Sequence, residues 1–418
     1  MNAIIDSNVL IDNKQAKYLN FFWVGFLIYM LSFMLSRTGL LPSTIFQGFQ
    51  IIGFVSFLGA ALYLIKVNVS DVYLKVIFFI YLVWSVIVII RGFSFDYEQL
   101  KRALFNADEG LFLYLAPLIL LFPQSLTSYK KLFDFIFISG IFYILLDAFF
   151  IRNMMNADET NLSGKSYVEY FSGELGIQSC FILLCYSYQS IKKKLFALII
   201  IAVILFFATL WGRRGLMFMC AAPVVFAYIL YLFHSRTRIL VVLLSALMIF
   251  IASMYAEEVY NRDKNVFSLL LERIDEDTRT GVEVYFYNDM NAQDWLIGRG
   301  MNGEYYCPDI DEDQITDKRS VIETGYLQVI LKGGILSLGL YLLITVPAMI
   351  MGIFYSKNIL SKAAGIWIFL ALIYSYPTII NIFSFQYLLV WICVGLCYTK
   401  SIRMMPENEM KEYFKAIT

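Results

Sequence analysis

Arg213 and Arg214 stand side by side in the turn "WGRRG", 211–215, between apolar runs at 195–210 and 216–233. No acid lies within thirty residues of them in the chain. A guanidinium binds phosphate through two parallel hydrogen bonds and tolerates partial desolvation better than an ammonium does. A helix restarting at Gly215 adds unpaired backbone N–H groups whose dipole favours the same anion. Such a turn offers to hold a phosphate or diphosphate. The plain alternative is a pair of snorkelling arginines at a helix end, with their heads among lipid phosphates.

A second group lies in "KRSVIETGYLQVILKGGILSLGLYLL", 318–343. Its periodicity from 321 to 331 predicts an amphipathic helix lying at a membrane surface, and Gly333–Gly334 permit a kink into the next apolar run. Glu323 and Tyr326, three apart, would share a face of that helix. Glu323 also follows Lys318 and Arg319 closely. A carboxylate among cations can take a proton from a sugar hydroxyl; equally, it can be a favourable acid in a first helical turn. Upstream, Arg279 and Arg299 are the notable cations of a loop that includes "LIGRGMNGEYY", 296–306. Their ordinary reading is solvated charge. That glycine-rich stretch sits in no βαβ unit, which excludes a nucleotide-binding fingerprint.

Other chemistry is poorly supported. Asp309, Asp311, Asp313 and Asp317 have the spacing of a calcium loop, but Gln314 and Ser320 stand where glycine and glutamate are needed. The single histidine, His234, leaves no Ser-His-Asp triad, and the six cysteines form no CxxC pair. No metal or cofactor is expected. Asp147 reads as the one clear acid inside an apolar run, facing a helix bundle or pairing with Arg152. Ion-coupled carriers usually need several buried ionisable groups, which argues against a transporter.

The elements that must carry these residues follow from composition. The 418-residue chain is 60% hydrophobic and 16% charged, whereas soluble domains have about 45–50% apolar and about 25% charged residues. Apolar runs long enough to cross a bilayer recur along it. The expected fold is an all-α polytopic membrane protein with about 12 transmembrane helices, near 20–36, 46–65, 73–91, 104–123, 132–151, 174–190, 194–211, 215–233, 239–256, 333–354, 363–380 and 383–399. This divides the chain into helices 1–9 over 1–256, a polar loop with a surface helix over 257–332, helices 10–12 over 333–399, and a tail over 400–418. With the N-terminus cytoplasmic, one side holds 17 Lys and Arg against seven acids, and the other 16 against 26. The positive-inside rule then places both termini in the cytoplasm and the long loop outside.

In layout and motifs the chain resembles the O-antigen polymerase and O-antigen ligase superfamily of bacterial envelope proteins. "WGRRGLM" resembles that family's arginine-glycine signature, "LIGRGMNGEYY" a stretch of its outer loop, and "ETGYLQVILKGGILSLGLYL" the segment entering its tenth helix. "YFSGELG", 170–176, is a weaker match to the segment opening the sixth. The resemblance implies a metal-independent glycosyltransferase in the bacterial inner membrane. It would move glycan from an undecaprenyl pyrophosphate carrier to the next lipid-linked unit on the periplasmic face. Its implied partners are that lipid-linked glycan, membrane lipid, a chain-length regulator and a flippase, with no nucleic acid. Arg213, Arg214, Arg279 and Arg319 would hold pyrophosphate or glycan, with Tyr326 matching the family's aromatic. Glu323 stands where ligases place a histidine, which favours a polymerase over a ligase. A lipid-linked oligosaccharide flippase is the alternative from another class.

Overall fold

Two glycines set how the first pair of helices meet. In the computed structural model, which describes residues 13–66, 69–93, 95–157, 161–234, 238–239, 242–243, 246, 280–308 and 317–416, α1 (Asn13–Ser36) packs along α2 (Ser43–Leu64). A Cβ on Gly25 would lie 2.6 Å from the Phe57 nitrogen, and one on Gly53 2.6 Å from the Tyr29 nitrogen. Where lipid tails are as apolar as leucine, such close backbone approach supplies the van der Waals contact that holds helices together. Around this seam Trp23, Phe26, Tyr29, Phe57, Phe112, Phe383 and Phe385 form an edge-to-face aromatic core.

The chain divides into two units, 1–135 with 277–418, and 136–276. The polar segment read from the sequence at 257–332 is described only in part. Its described parts, which include α11 (Thr280–Asp289) and α12 (Ala292–Ile297), share a core with the helix that follows: Phe286, Tyr305, Cys307 and Ile322 pack with Leu327, Ile330 and Leu331. Residues 257–279 of that segment lie outside the described residues.

Seven of the described helices are long and apolar enough to cross a membrane. The all-helical membrane fold is therefore present, with a two-residue antiparallel pair, β1 (Tyr305–Tyr306) and β2 (Lys318–Arg319), as the one sheet among the described residues. Beyond α1 and α2, the seven are α3 (Val72–Gly92), α6 (Leu126–Met155), α9 (Ile191–Leu210), α10 (Arg214–His234) and α13 (Gly325–Phe354).

Four expected spans are not continuous crossing helices. The run 104–123 breaks into α4 (Tyr97–Phe105), α5 (Phe112–Leu115) and a 3-10 turn over Ala116–Leu121. Between them, 106–111 carries Asp108 and Glu109, and these acids need partners that a straight helix in lipid would not supply. The run 174–190 breaks as well: α7 (Leu162–Phe171) leads through a π-turn at Ser172–Gly176 into α8 (Ser179–Leu184). The last two runs form α14 (Ile359–Tyr374), of 16 residues, and α15 (Phe385–Tyr398), of 14. Side-chain caps from Asn358 and Ser384 set where they start, the first ends already at Tyr374, and at about 1.5 Å per residue neither spans a 30 Å core. The expected span at 239–256 lies almost wholly outside the described residues.

Within the first unit, α13 begins beneath the loop and not on an open surface: Leu327, Gln328 and Ile330 through Gly334 are buried. The kink falls at Gly334, whose φ of 68° is outside helical space. The Trp84 indole of α3 donates to Ser337 Oγ at 2.8 Å and to the Gly333 carbonyl at 3.1 Å, pinning the bend. In the second unit, Trp211 Nε1 donates to the Met154 carbonyl at 2.8 Å, tying the end of α9 to α6.

Candidate functional site

The paired arginines occupy the turn between α9 and α10. Gly212 has a φ of 61° and reverses the chain. Arg213 precedes the helix and its carbonyl accepts from Met217 N at 3.0 Å, while Arg214 is the first helical residue. The two side chains have different surroundings. Arg213 Nε lies 3.0 Å from Glu169 Oε1 of α7, and its side chain is 19% exposed. Arg214 is exposed. So the acid absent from the neighbouring sequence is supplied by a helix forty-four residues earlier, which no local reading of the sequence reveals. The turn holds one partly buried guanidinium in a fixed place and presents a second at the helix start, where the unpaired N–H groups also lie.

In the other unit the structure brings Arg319 and Glu323 together around Tyr305. Arg319 pairs with Tyr305 across the two-stranded ladder, and both charges are within electrostatic reach of the Tyr305 phenol. Glu323 is exposed. It does not share a helix face with Tyr326, as the spacing suggests, because α13 starts only after Thr324. Tyr326 turns away and its hydroxyl donates to the Leu372 carbonyl. Arg279 and three of the four calcium-spaced aspartates lie outside the described residues.

Arg299 is a structural anchor and not a solvated loop charge. Its guanidinium donates to Asp289 Oδ2 at 2.5 Å, to Asp294 Oδ2 at 2.8 and 3.0 Å, and to the carbonyls of Asp289 and Glu304. Burial alone would raise the Asp289 carboxyl. The hydrogen bond from Arg299, the Tyr306 N–H and the Arg299 charge outweigh it and hold that carboxyl below the ordinary carboxylate range. Around Arg299 the stretch 297–302 docks by its backbone. Arg299 N donates to the Leu331 carbonyl, Gly300 N to that of Lys332 and Met301 N to that of Val88. The Arg91 guanidinium caps the carbonyls of Ile297 and Gly298 at 2.6 and 2.7 Å.

One ionic cluster in this unit escaped the sequence reading. Glu109, buried in the turn after α4, receives the Arg102 guanidinium and has Lys332 Nζ at 3.8 Å. Arg102 also donates to Ser320 Oγ at 2.6 Å, and Lys332 to the Gly303 carbonyl at 2.9 Å. Burial pushes the Glu109 carboxyl up, but the charges of Lys332 and Arg102 and the hydrogen bonds from Ser320 and Arg102 bring it below its ordinary value. Lys332 borders a cavity of about 60 Å³ that also has Tyr81, Tyr114, Tyr341, Tyr387 and Asn381 in its wall, room for a few waters or one hydroxymethyl group. The signal was present in "NADEG", two acids inside an apolar run. Asp147 is thus not alone as a buried acid. It is itself buried in α6, and Arg152 is exposed and forms no ion pair with it.

Against protein-family models, curated proteins and solved structures, the chain has no match.

Proposed function

We propose that this membrane protein transfers glycan between lipid-diphosphate carriers, as a polymerase of lipid-linked oligosaccharide repeat units. The observation that carries this reading is the Arg213–Arg214 turn at the start of α10: one guanidinium held by Glu169, the next exposed, beside the helix N-terminus. Few ligands need two fixed cations at the end of an apolar helix as much as a lipid diphosphate does. In the proposed reaction a sugar hydroxyl of the acceptor attacks the anomeric carbon of the donor. The bond from that carbon to the phosphate oxygen breaks, and the diphosphate leaves with its charge held by Arg214 and Arg213. The hydroxyl proton passes to solvent. The two arginines supply fixed positive charge to the leaving group, so this scheme uses no metal step. The carboxylate at 323, where ligases of the resembled superfamily carry histidine, favours chain extension over ligation to a lipid core.

The test is a gel of surface glycans from cells whose own copy is replaced by Arg214→Ala at equal protein level. Long chains should be lost and single repeats kept; an unaltered ladder refutes the diphosphate role. A second reading, transport of the lipid-linked glycan across the bilayer, draws support from one observation. Glu109, Asp147 and Lys332 are buried ionisable groups of the kind carriers use. In vesicles, transport moves the glycan unchanged, whereas transfer lengthens it.

A further inference from the structure

The unit spanning 136–276 contains a buried carboxylate that no cation among the described residues offsets. Asp147 is 4% exposed, and among the described residues neither of its oxygens receives a hydrogen bond of good geometry. Its neighbours follow from how α6 meets the segment 167–180. Gly140 faces Ser179 Oγ and Gly176 faces the Tyr143 ring, at 3.5 and 3.4 Å from the respective Cβ positions. Further along, the Phe150 ring meets Tyr167 at 4.7 Å and Phe171 at 5.6 Å. Asp147 therefore sits at the level of Ser172, where the π-turn begins. The Tyr143 hydroxyl, one helical turn before it, is within reach of both Asp147 and Ser172, yet forms no hydrogen bond of good geometry.

The oxygens here outnumber the donors. Tyr143 Oη, both Asp147 oxygens, Ser172 Oγ, Gln178 Oε1 and Ser179 Oγ are all buried without a partner. The Gln178 amide is spent on the Gly173 carbonyl at 2.9 Å. Ile200 and Ile204 of α9 close the region against Gly140 and Gly176, and from α10 the Cys220 thiol is within electrostatic reach of Tyr143. Among the described residues no Lys or Arg forms an ion pair with Asp147. Buried oxygens left without donors are costly, and hard cations are bound by such oxygen sets. π-turns also recur at functional sites. The other buried acid here, Glu174 of the π-turn, has interactions of its own, which leaves Asp147 as the carboxylate to be matched by a monovalent charge, and no group of three His, Cys, Asp or Glu suited to a heavier ion occurs among the described residues.

We infer that Asp147, Tyr143 and Ser172 form a binding site for a monovalent cation of sodium's size. It ties the π-turn to α6 inside the second unit and is independent of the proposed glycan chemistry. The test is thermal unfolding of the full-length protein in detergent at constant ionic strength, with sodium chloride replacing choline chloride. Sodium should raise the unfolding temperature saturably, by about 3 °C or more. Asp147→Asn should unfold at one temperature in both salts. Ser172→Ala, the milder change, should keep the effect but need about tenfold more sodium, an expected loss of one ligand. Equal unfolding temperatures of the wild-type protein in sodium and choline would overturn the site, as would a full sodium effect retained in Asp147→Asn or unaltered in Ser172→Ala.

Discussion

At the residue scale, the strongest claim is that two adjacent arginines are unlike in role. Arg213 is held by Glu169 and Arg214 is presented at the start of α10. Arg214→Ala should therefore remove diphosphate holding directly. Glu169→Gln should act indirectly: the fold survives and glycan extension falls by about tenfold, the worth of one positioned charge-assisted hydrogen bond, read as shorter chains on a gel. An effect of Glu169→Gln equal to that of Arg214→Ala would mean the carboxylate itself takes part. Arg299 offers a contrast, since its partners are Asp289, Asp294 and two carbonyls. Arg299→Met should destabilise the protein by about 2–3 kcal/mol by leaving two carboxylates without their partner, and Arg299→Lys should recover little, because an ammonium lacks the planar fork. Thermal unfolding in detergent reads both.

At the element scale, the docking of 297–302 on α3 and α13 rests on glycine. Gly334 has φ +68°, and a Cβ there would lie 2.2 Å from the Leu296 carbonyl oxygen; Gly298, also at +68°, would meet the Gly333 nitrogen at 2.5 Å. Gly334→Ala combines backbone strain with a backbone clash and should cost about 3 kcal/mol or more, lowering the unfolding temperature; no change would show that the kink is not needed. The kink was legible in the sequence from the glycine pair, and the long apolar helices were legible from their length. The broken spans were not. Around 104–123 the apolar count outweighs Asp108 and Glu109, although those acids dictate the break. Around 174–190 the π-turn depends on packing against α6 and α9, which periodicity does not carry. Arg299 was misread for a related reason: its partners Asp289 and Asp294 are close in sequence, yet only the docked backbone turns all three inward.

At the scale of the whole molecule, acid should loosen the loop before the helices. Asp289 and Glu109 both have carboxyls held below their ordinary range. A depressed carboxyl stabilises the fold above its unfolded pKa, and that contribution is lost as pH falls through the lower folded value. Stability should hold through neutral pH and decline only once pH drops beneath the ordinary carboxylate range. Amide exchange in 286–306 should then rise first, ahead of α9 and α10; simultaneous exchange throughout would contradict this. The composition made the membrane fold evident from the start, because 60% hydrophobic residues in continuous runs leave no other solvent. The partnership of Arg213 with Glu169 was hidden, because only folding brings 169 to 213. The central claim is bond formation between lipid-linked glycans at the expense of a lipid diphosphate. Its most direct test is to incubate the reconstituted full-length protein with a lipid-diphosphate-linked oligosaccharide and weigh the lipid-extracted products by mass spectrometry. The account predicts masses rising by whole repeat units with release of free lipid diphosphate, both lost in Arg214→Ala. Starting material recovered at its original mass from folded protein would contradict it.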